Sequence, residues 1–286
     1  MSNNRLSIIY MFLASLLFAV MNIAVKYLED IPVAQIVFMR SFVMMIMVLA
    51  VIGKKKIKPF GSSYRLLILR GLFGTTGIAL FFYTLHKMPL ASAVVVHYLT
   101  PIITVLFSVL ITRKGIKPIQ WMFFAICFSG IIIIKGFDVR IGGIPLLMGV
   151  LGTIGAAAAY NIISLLKEKE HYLVIMFYFP LVTIPLVLIY IGITGAWIWT
   201  TPFNWAILSL IGFLTYLAQY FLTRSYQIGE VNKVSVISYL GIIYALGFGY
   251  FMFDEWYSPV VIFGILLVVL GVIGNIIYKA KPRPTQ

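Results

Sequence analysis

The sequence predicts an all-α integral membrane protein, with ten transmembrane helices arranged as two inverted five-helix repeats. Three observations predict it. Hydrophobic residues make up 62% of the chain and charged residues only 10%, far from the roughly half-apolar, quarter-charged mix of soluble domains. Apolar runs about as long as a bilayer crossing recur ten times. Stretches of the second half also echo the first at a nearly constant offset, as in membrane proteins built from duplicated halves.

The runs are 6–26, 33–52, 66–85, 90–111, 118–135, 144–166, 172–191, 203–226, 231–253 and 259–278. The first exceeds a signal-peptide core and no small-x-small cleavage pattern follows it, so it is expected to be a retained helix. The connections are short and leave no room for a soluble domain. Taking alternate ends, 16 Lys and Arg gather on one side and 4 on the other. This predicts a multi-pass protein of the bacterial cytoplasmic (inner) membrane with both termini in the cytoplasm. The formal charge of +14 belongs to the same asymmetry, so the lipid bilayer and not nucleic acid is the expected partner. Cys127 is the single cysteine and lies in an apolar run, which excludes a disulfide framework and a metal-thiolate cluster. No cofactor and no metal are expected. No GxxxxGK[ST] loop is present, so the chain is not an ATP-driven pump by itself.

An offset of 141 places Val95 on Val236, Tyr98 on Tyr239, Leu99 on Leu240, Ile102 on Ile243 and Phe107 on Phe248, then Pro118 on Pro259 and Gly130 on Gly271. An offset of 139 places Ala19, Asn22, Ile23 and Glu29 on Ala158, Asn161, Ile162 and Glu168. The repeats are therefore 1–138 and 139–286. Five helices is an odd number, so the second repeat must run with opposite topology.

Polar residues inside the apolar runs mark the candidate site. His97, Thr100, Thr104 and Ser108 are spaced along one helical face. Pro101 removes an amide donor and frees the carbonyl of His97, which needs water, a side chain or a ligand. Alternatively, the hydroxyls bond back to their own helix and Pro101 is a packing kink. Asn232, Ser235, Ser238 and Tyr239 form a less regular counterpart. Arg40 lies seven residues into its run, roughly 10 Å deep, where a guanidinium must face protein or water. It reads either as an anchor for a substrate carboxylate or phosphate, or as the structural partner of Glu29, Asp30 or a helix-end carbonyl. Arg70, closer to a membrane edge, is expected to snorkel. All eight carboxylates fall at helix ends or loops, which counts against a site for organic cations. His97 is a candidate proton carrier or, more simply, a hydrogen-bonding group. Asn22, Asn161, Tyr160, Gln219, and the pair Tyr98 and Tyr239, complete the substrate-binding candidates, each with interhelical bonding as its alternative use. Tyr172, Trp197, Trp199, Trp205, Trp256 and Tyr257 read as interfacial anchors. Glycines at 149, 152 and 155, and at 264, 271 and 274, read as close helix packing or a homodimer face. Pro180 and Pro185 are expected to kink the seventh helix.

The stretch RGLFGTTGIALFFYTLHKMPLASAVVVHYLTPIITVLFSVL over 70–110, the FMRSF around Arg40 and the SLLFAVMNIAVKYL of the first run resemble the EamA-type members of the drug/metabolite transporter superfamily. The resemblance covers nearly the whole chain. It implies a secondary transporter working by alternating access, with the first four helices of each half around a midplane cavity and the fifth and tenth supporting them. Arg40, with no acid in a helix centre, favours a small anionic or zwitterionic metabolite such as an amino acid, a carboxylate or a nucleotide-like compound. The alternatives are a lipid flippase or scramblase, and a membrane-embedded transferase. The transferase would need a cluster of catalytic groups that His86, His97 and His171 do not form.

Overall fold

The structure, a computed structural model, describes residues 3–100, 102–104, 106–107, 118–166, 169–228 and 237–280. Its helices are α1 (Asn3–Tyr27), α2 (Val33–Lys55), α3 (Tyr64–Lys87), α4 (Leu90–His97), α5 (Pro118–Phe137), α6 (Gly143–Leu166), α7 (Tyr172–Thr194), α8 (Pro202–Ile228), α9 (Leu240–Phe253) and α10 (Pro259–Ala280). No strand occurs among the described residues. Seven of these helices are long and apolar enough to cross a membrane, and the apolar stretches Leu90–Thr104, Leu240–Phe253 and Pro259–Asn275 are shorter. Large apolar side chains such as Ile132, Ile193, Phe251 and Leu270 point outward, which suits a lipid-facing surface and would be a liability in water. The chain is a multi-pass membrane protein.

Local chemistry explains where the helices begin and end. α5, α8 and α10 each open on a proline, whose missing N–H costs nothing in the first turn and whose fixed φ suits a helix start. α7 closes on Gly195, at φ 64, in the left-handed region that glycine enters without penalty. The same helix runs unbroken through Pro180 and Pro185.

The principal packings pair α3 with α6 and α1 with α8, α2 with α7 and α8, α3 with α7, α4 with α9 and α6, α1 with α9, and α5 with α10. Exchanging each of the first five helices for the one five places later maps this set onto itself. α5 and α10 hold mainly to each other. The glycine rows serve these contacts within the chain. A Cβ at Gly155 would lie 2.9 Å from the carbonyl of Phe73 on α3, and one at Gly264 would lie 2.9 Å from the carbonyl of Gly130 on α5.

Two helices break at matching places. α4 stops at His97, turns through Tyr98 and Leu99, and becomes helical again at Thr100. In the second half, helix at residues 237–238 turns at Tyr239 before α9 begins. The breaks meet. The Tyr98 hydroxyl donates to the Ser238 carbonyl at 2.6 Å, the Tyr239 hydroxyl to the Tyr98 carbonyl at 3.3 Å, and the rings lie 4.9 Å apart. Gly241 leaves no room for a Cβ against the Tyr98 hydroxyl.

Candidate functional site

The centre of the site is a pair of arginines. Arg40 on α2 is 1% exposed and Arg70 on α3 is 5% exposed. In each, Nε and Nη1 are buried without a hydrogen-bond partner among the described residues. No carboxylate pairs with either one among those residues, where the ion pairs are Lys26–Glu255 and Arg140–Asp138. Glu29 and Asp30, the expected structural partners of Arg40, are exposed instead. Aromatic rings take the place of anions. The Arg40 guanidinium lies 5.2 Å from the centre of Phe179 and 5.8 Å from that of Phe82, and the Arg70 guanidinium lies 4.4 Å from the same Phe179. Such contacts contribute about 0.5–2 kcal/mol, against about 3 kcal/mol for placing one arginine at the centre of a membrane helix.

Arg70 therefore does not snorkel, and the reason is steric. Gly71 sits under Val182 and Gly74 under Phe179. These two small residues draw α7 onto the face of α3 that carries Arg70, and the close approach seals the side chain in. An arginine followed by glycines one and four residues later was the signal available in the sequence. Phe179 and Phe82 had none, since only tertiary packing selects them from many apolar neighbours.

Tyr160 on α6 neighbours both guanidiniums and is 40% exposed, while the guanidiniums themselves are buried. From Phe82 the contacts continue to Phe81, at 6.1 Å, and from Phe81 to the stacked ring of His97, at 4.2 Å. The His97 Nδ1 is buried and has no hydrogen-bond partner among the described residues. Arg40, Tyr160 and His97 thus belong to one region, joined by Arg70, Phe179, Phe82 and Phe81. Thr100 donates to the His97 carbonyl at 2.6 Å, and Thr104 to the Thr100 carbonyl at 2.8 Å. Both hydroxyls are bonded within their own segment. Asn161 donates to the carbonyls of Thr104, at 3.2 Å, and Ala157, at 3.0 Å. Tyr98, Ser238 and Tyr239 form the junction of the two helix breaks. Asn22, with its Oδ1 buried and unpartnered, and the half-buried Gln219 lie on α1 and α8. Pro101, Ser108, Asn232 and Ser235 fall outside the described residues.

A cavity of about 730 Å³ opens among α2, α3, α6 and α7, lined by Val37, Thr75, Leu80, Tyr83, Met148 and Val187 among others. Its volume suits a small metabolite. It reaches Thr75, whose hydroxyl lies 2.7 Å from that of Thr183. Each hydroxyl also lies 2.8 Å from a carbonyl one turn back along its helix, Thr75 from that of Gly71 and Thr183 from that of Phe179, so one threonine donates to its helix and the other donates to its partner. The threonine pair thus stands one helical turn from Gly71, the neighbour of Arg70, and from Phe179.

A second polar cluster lies where α1 and α3 end. Glu255 accepts the Leu90 N–H at 2.8–2.9 Å and the Tyr257 hydroxyl, and lies 3.8 Å from Lys26. A carboxylate at the first turn of α4 is favoured by the exposed amides and the helix dipole. Lys26 also donates to the Met88 carbonyl at 2.9 Å. Burial, followed by the neighbouring Glu255 charge, pushes the Tyr257 hydroxyl upward and keeps it a donor. Beside it, Arg140 is held above its ordinary value by its hydrogen bonds to Asp138, at 2.8 Å. Tyr257, expected as an interfacial anchor, belongs to this network.

Apolar helices packed around a pair of arginines that have no ion pair among the described residues, with a metabolite-sized cavity nearby, define a multi-pass membrane protein. A family model described as the EamA-like transporter family matches residues 5–136 and 143–277, and the chain belongs to that family. It is 29% identical to the pseudopaline exporter CntI of Pseudomonas aeruginosa over 267 residues, covering 91% of this chain and 92% of the exporter. It is 26% identical to human solute carrier family 35 member G1 over 296 residues, covering 96% of this chain and 80% of that protein. A solved crystal structure superposes with a TM-score of 0.69 at 17% identity, over 96% of this chain and 98% of its own, which establishes the fold alone. Family and relatives are transporters, and transport is the activity they support.

Proposed function

We propose that the protein is a secondary transporter that moves a small anionic or zwitterionic metabolite across the bacterial cytoplasmic membrane by alternating access, with Arg40 as the anion anchor. The carrying observation is the Arg40 guanidinium, buried and without an ion pair among the described residues. A charge so placed needs an anion to offset its desolvation, and a guanidinium meets a carboxylate or phosphate bidentately. The two matched segments of the family model and the exchange symmetry of the packing support two inverted repeats, 1–138 and 139–286. The interlocked breaks at Tyr98 and Tyr239 support a hinge between the halves, since discontinuous helices recur at the binding sites of such transporters. The excess of cations on one side of the sequence supports both termini being cytoplasmic. The relative named as an exporter supports testing outward movement first.

The test is a metabolite-library thermal-shift screen on the purified protein, followed by counterflow of each hit in liposomes. Arg40→Ala is expected to abolish counterflow of the anionic hits while the protein stays inserted and monodisperse. Normal counterflow by that variant would remove the anchor.

A further inference from the structure

Arg40 and Arg70 come from different helices and converge on one ring. Because both guanidiniums lie over Phe179, at 5.2 and 4.4 Å from its centre, their separation cannot exceed the two distances combined. They repel one another, yet none of the described carboxylates lies between them or pairs with either. A ring face holds a guanidinium without using its N–H groups, so both forks keep buried donors unspent. One carboxylate satisfies one fork bidentately. A monoanion bound at either arginine would leave the other charge uncompensated in a low-dielectric site. Tyr160, partly exposed and neighbouring both guanidiniums, adds a hydroxyl that can donate to an anion.

We infer that Arg40 and Arg70 act together as a two-point site for a small organic dianion that carries two separate anionic groups, one for each guanidinium, with its middle lying against Phe179. The inference rests on the reading of Arg40 as an anion anchor and narrows the substrate class from anions in general to dianions. It also gives Phe179 a role, as the ring on which the two forks rest when no anion is bound. Tyr160 becomes the side from which the anion is approached.

The test uses the purified full chain in nanodiscs, with binding measured calorimetrically for the straight-chain dicarboxylates malonate to adipate, the half-amide of each, and inorganic phosphate. The second charge-assisted pair is expected to make at least one diacid bind about 10- to 100-fold more tightly than its half-amide. Arg70→Gln should bring the diacid down to the level of the half-amide, while leaving the half-amide within about threefold of its original affinity. Arg70→Lys, which keeps the charge but not the fork, should recover part of the preference and shows that loss in Arg70→Gln is not misfolding. Equal binding of diacid and half-amide by the unaltered protein, an undiminished preference in Arg70→Gln, binding of phosphate more tightly than any diacid, or no diacid binding at all would each overturn the two-point site. Counterflow separates this outcome from failure of the wider reading. If Arg40→Ala abolishes anion transport while Arg70→Gln behaves as the unaltered protein, the anchor stands and the pairing falls; if Arg40→Ala transports normally, the anchor itself falls.

Discussion

Lys26 and Arg140, at the end of the bundle where α1 and α3 finish, each lie beside a carboxylate, whereas Arg40 and Arg70, inside the membrane-spanning core, lie beside none among the described residues. The contrast runs against cost. Desolvation is greatest in the core, where pairing would help most. At the bundle end, Glu255 joins the start of α4 to α1 and to the α9–α10 connection, and Asp138 fixes Arg140 over the ring of Tyr257. Glu255 and Asp138 thus hold chain segments at this end, while the central cations have no such partner among the described residues. On the proposed reading, stability resides in the paired region and function in the unpaired one, a division in which strain is retained because activity needs it.

Substitutions should therefore move stability in opposite directions in the two regions. The largest effect is expected from Glu255→Gln. It removes the anion from the Leu90 N–H, the Tyr257 hydroxyl and Lys26, and leaves an amide group facing donors. The loss is about 2–4 kcal/mol, read as a lowered midpoint in nanodisc denaturation. An unchanged midpoint would show that the cluster is surface decoration. Next comes Arg40→Met, which keeps length and apolar contact with Phe82 and Phe179 but deletes the unpaired charge. It is expected to hold or raise stability, by up to about 3 kcal/mol. A fall as large as that of Glu255→Gln would mean that Arg40 is a structural group and would dissolve the contrast.

The apolar runs located the helices because membrane length and backbone satisfaction leave few alternatives. The expected starts at residues 118 and 259 are the first residues of α5 and α10. Tyr98 and Tyr239, which the offset of 141 aligns, are in contact. Arg40 was legible as a buried cation from its depth alone. Arg70 was misjudged because depth counts residues from a helix end and says nothing of a neighbour; α7, admitted by Gly71 and Gly74, buries it. The bonding of Thr100 to the His97 carbonyl was one of the two readings its spacing allowed, and only the local turn at Tyr98 selects between them. The role of Glu255 could not be read from composition, because a loop carboxylate looks the same whether it meets water or a helix start.

The smallest expected effect tests how the two regions communicate. Thr75 and Thr183 join α3 to α7 between the cavity and the arginines. Thr75→Val is nearly isosteric and removes one hydroxyl of the pair, while Thr183 keeps its bond to the Phe179 carbonyl. The cost should be about 1 kcal/mol, well below that of Glu255→Gln. If the pair bars the way from the cavity to Arg70, the same change should also speed counterflow of a bound anion, because the interhelical bond must part before a solute can pass. A stability loss with unaltered counterflow would make the pair simple interhelical bonding. Faster counterflow with little stability loss would place the barrier on the segment of α3 that follows Arg70, so that opening it would require only local separation of α3 from α7, with the end cluster around Glu255 intact.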